Sequence, residues 1–259
     1  MGKRALHEGA NSMNVVEYGK ENAEVIMLLH GGGLSWWHYQ AAAELLAERF
    51  HVVLPILDGH AGSDASFTTM AANAAQIIAY IDAHFAGQVL LIGGASLGGQ
   101  ILTEMLCQRP DICKHAVVES ALAIPMKVTA ALIGPAFSLS YPLIRQRWFS
   151  RLQFRSLGIA PALFELYYRD TVQIAKADMI AFMQANMDYR INDSLGQFRG
   201  RALVLAGSKE MPAMRRSARL LVKYLPGARL EILHGMRHGE LSINHPQLYV
   251  HKLLELLAE

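Results

Sequence analysis

The sequence predicts an α/β fold, a mostly parallel sheet with helices on both faces and a helical segment inserted between its two halves. Three observations lead there. Short apolar or β-branched runs alternate with amphipathic stretches along most of the chain; the alternation stops between about residues 124 and 192; and 259 residues, 52% of them hydrophobic and 18% charged, suit one large packed core.

The runs at residues 25–29, 52–57, 89–92, 116–118, 202–205 and 230–233 are short and apolar, as expected of strands buried in a sheet. Between them, residues 39–49, 70–85, 97–108, 212–224 and 246–257 repeat apolar side chains at three- and four-residue intervals, the spacing of one helix face. Such helices supply the crossovers that parallel strands need. Residues 125–191 carry no strand pattern but many aromatics at helical spacings among prolines, and are expected to form a helical cap; residues 1–124 and 192–259 then form the core.

A formal net charge of +2 gives no reason to expect a nucleic-acid partner. The longest basic stretch, Arg145, Arg147, Arg151 and Arg155, is interleaved with apolar residues and reads as a solvated helix face. Residues 1–8 carry charge without the apolar stretch of an export signal, and no uninterrupted apolar run reaches the ~18 residues of a membrane span, so a cytoplasmic location is expected. Cys107 and Cys113 show no metal-ligand spacing and read as reduced bystanders. Nothing in the sequence specifies an oligomeric state.

The strongest chemical signal is Gly94-Ala95-Ser96-Leu97-Gly98, a G-x-S-x-G pattern between a predicted strand and a predicted helix. A serine on that sharp turn exposes its hydroxyl at the sheet's edge, and the Leu97 N–H lies at a helix N-terminus, where it can stabilise an oxyanion. Upstream, His30-Gly31-Gly32-Gly33 ends a strand; Gly32 is the candidate second oxyanion donor, with Gly31 shaping the pocket beside it. Late in the chain, His238 lies in a loop beyond the last strand and is preferred as general base over His234, which sits at the strand end. Glu210, in a turn after a strand, is the candidate acid that orients the imidazole, and Glu119 at the end of the neighbouring strand is its rival.

These residues resemble the α/β-hydrolase superfamily across nearly the whole chain, through His30 to Gly33, Asp58 to Asp64, Gly94 to Gly98, Gly207 to Glu210 and Gly235 to Gly239. The resemblance implies about eight strands, a cap over the site, no metal or organic cofactor, and hydrolysis through an acyl-enzyme. Asp58 and His60 take structural roles in it. The chain departs from the usual pattern at Ala61, often glycine, and at Glu210, more often aspartate. Serine at the nucleophile position disfavours dehalogenase and epoxide hydrolase chemistry, which need a carboxylate there.

The expected substrate is a small or medium carboxylic ester. Trp36 and Trp37 beyond the glycine loop, with Met126, Phe137 and Trp148, are the candidate lining of an apolar pocket. The fold also hosts lactonases, thioesterases, aminopeptidases, acyltransferases and non-turnover receptors. Glu165, Asp170 and Asp178 are the carboxylates on which an aminopeptidase reading depends.

Overall fold

A computed structural model describes residues 13–259 and the backbone of residues 3–5. Apart from that short segment, the N-terminal residues expected to lack an export signal lie outside the described residues. Eight strands form one sheet: β1 (Lys3–Ala5), β2 (Val15–Tyr18), β3 (Val25–Leu29), β4 (His51–Pro55), β5 (Val89–Ala95), β6 (Cys113–Glu119), β7 (Arg201–Gly207) and β8 (Arg229–Leu233). Their order is β1-β2-β4-β3-β5-β6-β7-β8; β2 runs antiparallel to both β1 and β4, and every other neighbouring pair is parallel.

The helices are α1 (Gln40–Leu46), α2 (Met70–His84), α3 (Leu97–Gln108), α4 (Lys127–Ile144), α5 (Arg147–Leu157), α6 (Phe164–Thr171), α7 (Lys176–Asp188), α8 (Pro212–Tyr224), α9 (Glu240–Asn244) and α10 (Pro246–Ala258). Strand β3 shows why the sheet is covered twice. Val25, Met27 and Leu29 enter one core with residues of α2 and α3, while Ile26 and Leu28 enter a second core with residues of α1 and α10. Between β6 and β7 the regular elements are all helical: α4 to α7 and two short 3₁₀ turns over Pro161–Leu163 and Asp193–Gln197.

Several elements differ from the sequence expectation, the short β1 and α9 among them. Strand β2 is not anticipated, because its four residues contain Glu17, which breaks the apolar run; that carboxylate is buried and pairs with His51 at 2.9 Å and with Lys20. The predicted helix at 39–49 is divided, since a 3₁₀ turn over Trp36–Tyr39 precedes α1. Helix α4 passes the length and composition of a membrane-crossing helix although no uninterrupted apolar run was expected, because its serines, threonine and prolines interrupt the run without adding charge. It does not stand free, for one of its faces packs on α7.

Candidate active site

The parallel strands β3, β5, β6 and β7 all deliver candidate site residues at their C-terminal ends, where α/β sheets leave room for ligands. Ser96 follows β5 with φ +52° and ψ −114°, a conformation that costs a non-glycine residue about 1–3 kcal/mol. Its N–H is held by Glu119 O at 2.8 Å, so the strain is locked by the sheet. Ser96 occupies the N-cap position of α3 but makes no side-chain cap bond, which leaves the hydroxyl free to face elsewhere. The turn tolerates no side chain on either flank: a Cβ at Gly94 would meet Gly98 O at 2.4 Å, and one at Gly98 would meet Leu29 O at 2.1 Å.

The hydroxyl faces His238. His238 Nε2 lies 3.0 Å from Ser96 Oγ, and His238 Nδ1 lies 3.1 Å from Glu210 Oε2. With Nδ1–H donating to the carboxylate, Nε2 is left to accept the serine proton. Glu210 is fully buried while half of the imidazole edge is open. Burial pushes the Glu210 carboxyl up, but hydrogen bonds from His238, Gly207 N–H and the Ser120 hydroxyl outweigh it and hold the group below its ordinary range. The loops carrying the acid and the imidazole are stitched together: Lys209 N–H donates to Met236 O at 2.9 Å and Gly235 N–H to Ser208 Oγ at 2.8 Å.

Glu119 does not reach the imidazole by hydrogen bond. Its Oε1 accepts from Leu241 N–H and Ser242 N–H at 3.2 and 3.3 Å, at the start of α9. Burial raises its carboxyl pKa against the pull of Ser242. Next to it, Ser120 donates to Glu210 Oε1 at 2.8 Å and accepts from Gly239 N–H at 3.0 Å, from a strained backbone of φ +53°. Ser120 was not singled out in the sequence.

Three buried histidines hold the glycine loop. Gly31 N–H donates to His38 Nδ1 at 3.2 Å, Gly33 N–H donates to His60 Nε2 at 3.0 Å, and His30 Nδ1 lies 2.9 Å from Gly31 O. Burial pushes His38 down to about 3 and His60 to about 4, and takes His30 well below its ordinary value. All three are therefore neutral near neutral pH. Between the two anchored amides, Gly32 N–H has no acceptor among the described residues, and Leu97 N–H, first in α3, has none within the helix. The two residues are adjacent: a Cβ on Gly32 would stand 3.4 Å from Leu97 Cδ2.

Gly31, Gly32, Ser96 and Leu97 border a cavity of about 370 Å³ whose walls include Leu122, Leu157, Ile159, Phe182, Met183 and Met214. The expected aromatic lining is corrected. Trp37 is buried with its indole N–H on Asp170 Oδ2 at 2.8 Å, and Trp36 faces a separate cleft beside Tyr18 and Arg169, because the 3₁₀ turn carries both away from the cavity. Met126 tethers the start of α4 through its N–H to Met187 O at 2.7 Å, Phe137 packs on the main core, and Trp148 is 65% exposed on α5; none of the three lines the cavity. Of the helical segment's aromatics only Phe182 borders the cavity, beside aliphatic and thioether side chains such as Leu157, Ile159 and Met183. His38, unremarked in the sequence, borders it instead.

Glu165 pairs with Arg147, Asp170 with Arg169, and Asp178 accepts from Phe67 N–H at 2.9 Å, so none of these carboxylates faces the cavity. Among the described residues, no group of three or more His, Cys, Asp or Glu is placed to hold a metal ion.

A serine, an imidazole and a buried carboxylate in hydrogen-bonded series on this sheet define a class, and the family is found independently. The chain belongs to the alpha/beta hydrolase family, whose sequence model matches residues 26–252. Its fold is similar to that of an esterase from Exiguobacterium antarcticum, with a TM-score of 0.81 and 15% identity over 95% of this chain and 96% of that one. It is similar also to a hydrolase from Pseudomonas aeruginosa, with a TM-score of 0.78 and 17% identity over 99% and 98% of the two chains. The enol-lactonase of Burkholderia xenovorans gives a TM-score of 0.75 at 16% identity over 95% and 96%. A search of curated protein sequences gives no significant match.

Proposed function

We propose that the protein is a serine hydrolase that cleaves small or medium carboxylic esters through an acyl-enzyme. The observation that carries this reading is the unbroken hydrogen-bond series from Glu210 through His238 to Ser96 beside an apolar cavity. Ser96 Oγ attacks the ester carbonyl carbon as its proton passes to His238 Nε2, and Glu210 stabilises the imidazolium from the far side. The carbonyl oxygen becomes an oxyanion facing the Gly32 and Leu97 N–H groups, worth on the order of 100-fold in rate for each donor. The C–O bond to the alcohol breaks, His238 returns the proton to the leaving oxygen, and the acyl group stays on Ser96. Water then attacks the acyl carbon as its proton passes to His238, the bond to Ser96 Oγ breaks, His238 returns the proton to Ser96, and the carboxylic acid leaves.

In this reading α4 to α7 act as the cap, and the aliphatic walls select an apolar acyl or alcohol group. A cavity of about 370 Å³ fits a short to medium chain. The test is steady-state hydrolysis of p-nitrophenyl acetate, butyrate and octanoate. Multiple turnovers are expected, with butyrate or octanoate preferred over acetate by KM. A single stoichiometric burst would mean a receptor that acylates once, and partitioning of product to an added alcohol would mean acyl transfer.

A further inference from the structure

The surface of α4 and α5 is built against the usual rule for a helix on a protein's outside. Along α4 the side chains of Val128, Leu132, Leu139 and Leu143 recur on one stripe and are 77%, 61%, 85% and 40% exposed. The opposite side of the helix, through Ala130 and Ile133, is already buried, so the exposed stripe is not a core face awaiting α7. On α5, Trp148 and Leu152, one turn apart, extend the apolar patch at 65% and 61% exposure.

Within α4 and α5 the charge has one sign, with Glu165 of α6 beside Arg147 and Asp188 of α7 sharing a cleft with Lys127. From residue 125 to residue 163 the sequence holds Lys127, Arg145, Arg147, Arg151 and Arg155 and no aspartate or glutamate. Lys127 marks one end of α4 and the arginines the other, with no charged residue between. Arg147 is engaged by Glu165, and Arg151 lies over the Phe164 ring at 4.8 Å, but Arg145 and Arg155 have no anionic partner among the described residues.

We propose that this face docks on the surface of an anionic lipid bilayer, with α4 lying in the interface rather than crossing it. An apolar stripe flanked by arginines and one exposed tryptophan is the composition that partitions into the headgroup boundary, where arginine meets lipid phosphate and the indole sits at the polar edge. A second copy of the chain fits less well, since a symmetric contact would bring like-charged arginine clusters together. Leu157, at the end of α5 and on the side of that helix away from Trp148, is 46% exposed and lines the cavity wall. Docking itself does not depend on the serine chemistry proposed above.

The test uses the full chain carrying Ser96→Ala, so that no lipid is consumed, and measures cosedimentation with vesicles of neutral phosphatidylcholine or with roughly one-third phosphatidylglycerol added. Binding to the anionic vesicles is expected, weakening as salt rises. Leu139→Glu should weaken it on the order of 100-fold, and Arg145→Gln with Arg155→Gln about 30-fold. The same surface variants should keep the parent's far-UV circular dichroism and thermal midpoint, which shows that they fold. The proposal is overturned if the anionic vesicles leave the protein in solution, or if Leu139→Glu binds them as well as its parent. It is overturned too if sedimentation finds a dimer that Leu139→Glu dissociates while vesicles remain unbound, which would make the face a contact between copies.

Discussion

Ser96 and Ser120 both sit at the ends of parallel strands with positive φ, and both point their hydroxyls into the same hydrogen-bond system. The second is a positioning residue, because it touches Glu210 and the Gly239 amide but not the cavity. Ser120→Ala removes one of the bonds that hold the carboxylate and leaves a backbone donor unmatched, so kcat should fall about tenfold with KM nearly unchanged. Steady-state kinetics on p-nitrophenyl butyrate reads this directly, and Ser120→Thr should restore part of the loss. Positions 96, 210 and 238 are legible in the sequence because each belongs to a short loop closing a recognisable apolar run. Ser120 and His38 are not, because they bond to residues 90 and 204 positions away, and no local spacing records such a partner. The choice between Glu119 and Glu210 is of the same kind. Both follow strands, and only the third dimension directs one to His238 and the other to the amides of α9.

At the scale of elements, the turn between β5 and α3 is where backbone packing and chemistry coincide. A Cβ at Gly98 would collide with the Leu29 carbonyl, which belongs to a central strand and cannot yield. Gly98→Ala should therefore lower unfolding free energy by about 3 kcal/mol or more. Gly227→Ala makes the control: its φ of +70° favours glycine, but no atom stands within 4 Å, so the cost should be only about 1 kcal/mol. Denaturation midpoints of the two variants separate collision from backbone preference. Strands β3 to β7 are legible for the same reason that they are central: both of their faces are buried, so their sequences are largely apolar, whereas β8 at the sheet edge is only partly buried and is read from Leu230, Ile232 and Leu233 alone. Strand β2, which lies between β1 and β4, is not, since Glu17 interrupts the apolar run of its four residues. The pocket was the least legible part, because an aromatic at helical spacing can serve the core, the cavity or the surface, and here Phe137 and Trp148 serve the first and the last.

For the whole molecule, the buried histidines of the glycine loop tie stability to pH. Each is neutral in the folded protein, with His60 lowered to about 4 and His38 to about 3 by burial, whereas an unfolded histidine protonates near pH 6.5. As pH falls below about 6.5 the unfolded chain takes up protons that the fold refuses, so stability is lost progressively toward those lower values. Asp58 acts in the opposite sense. Burial and the neighbouring Asp178 push its carboxyl up to about 6, so between about pH 6 and about pH 4 the folded state binds the extra proton and gains stability. The three histidines, together with Glu210 held below its ordinary range, outweigh the raised carboxyls of Asp58 and Glu119, and thermal unfolding should move to lower temperature from about pH 7 to about pH 4.5. His60→Gln should flatten that dependence, and Asp58→Asn should steepen it. The proposed chemistry, by contrast, stands on one side chain. The most direct measurement is mass-spectrometric peptide mapping after treatment with an organophosphate, alongside ester hydrolysis by Ser96→Ala. A single adduct on Ser96, formed in proportion to lost activity, is expected, together with a fall of about a million-fold or to background in the variant. An adduct elsewhere, or a Ser96→Ala protein that still turns over ester at the parental rate, would contradict it.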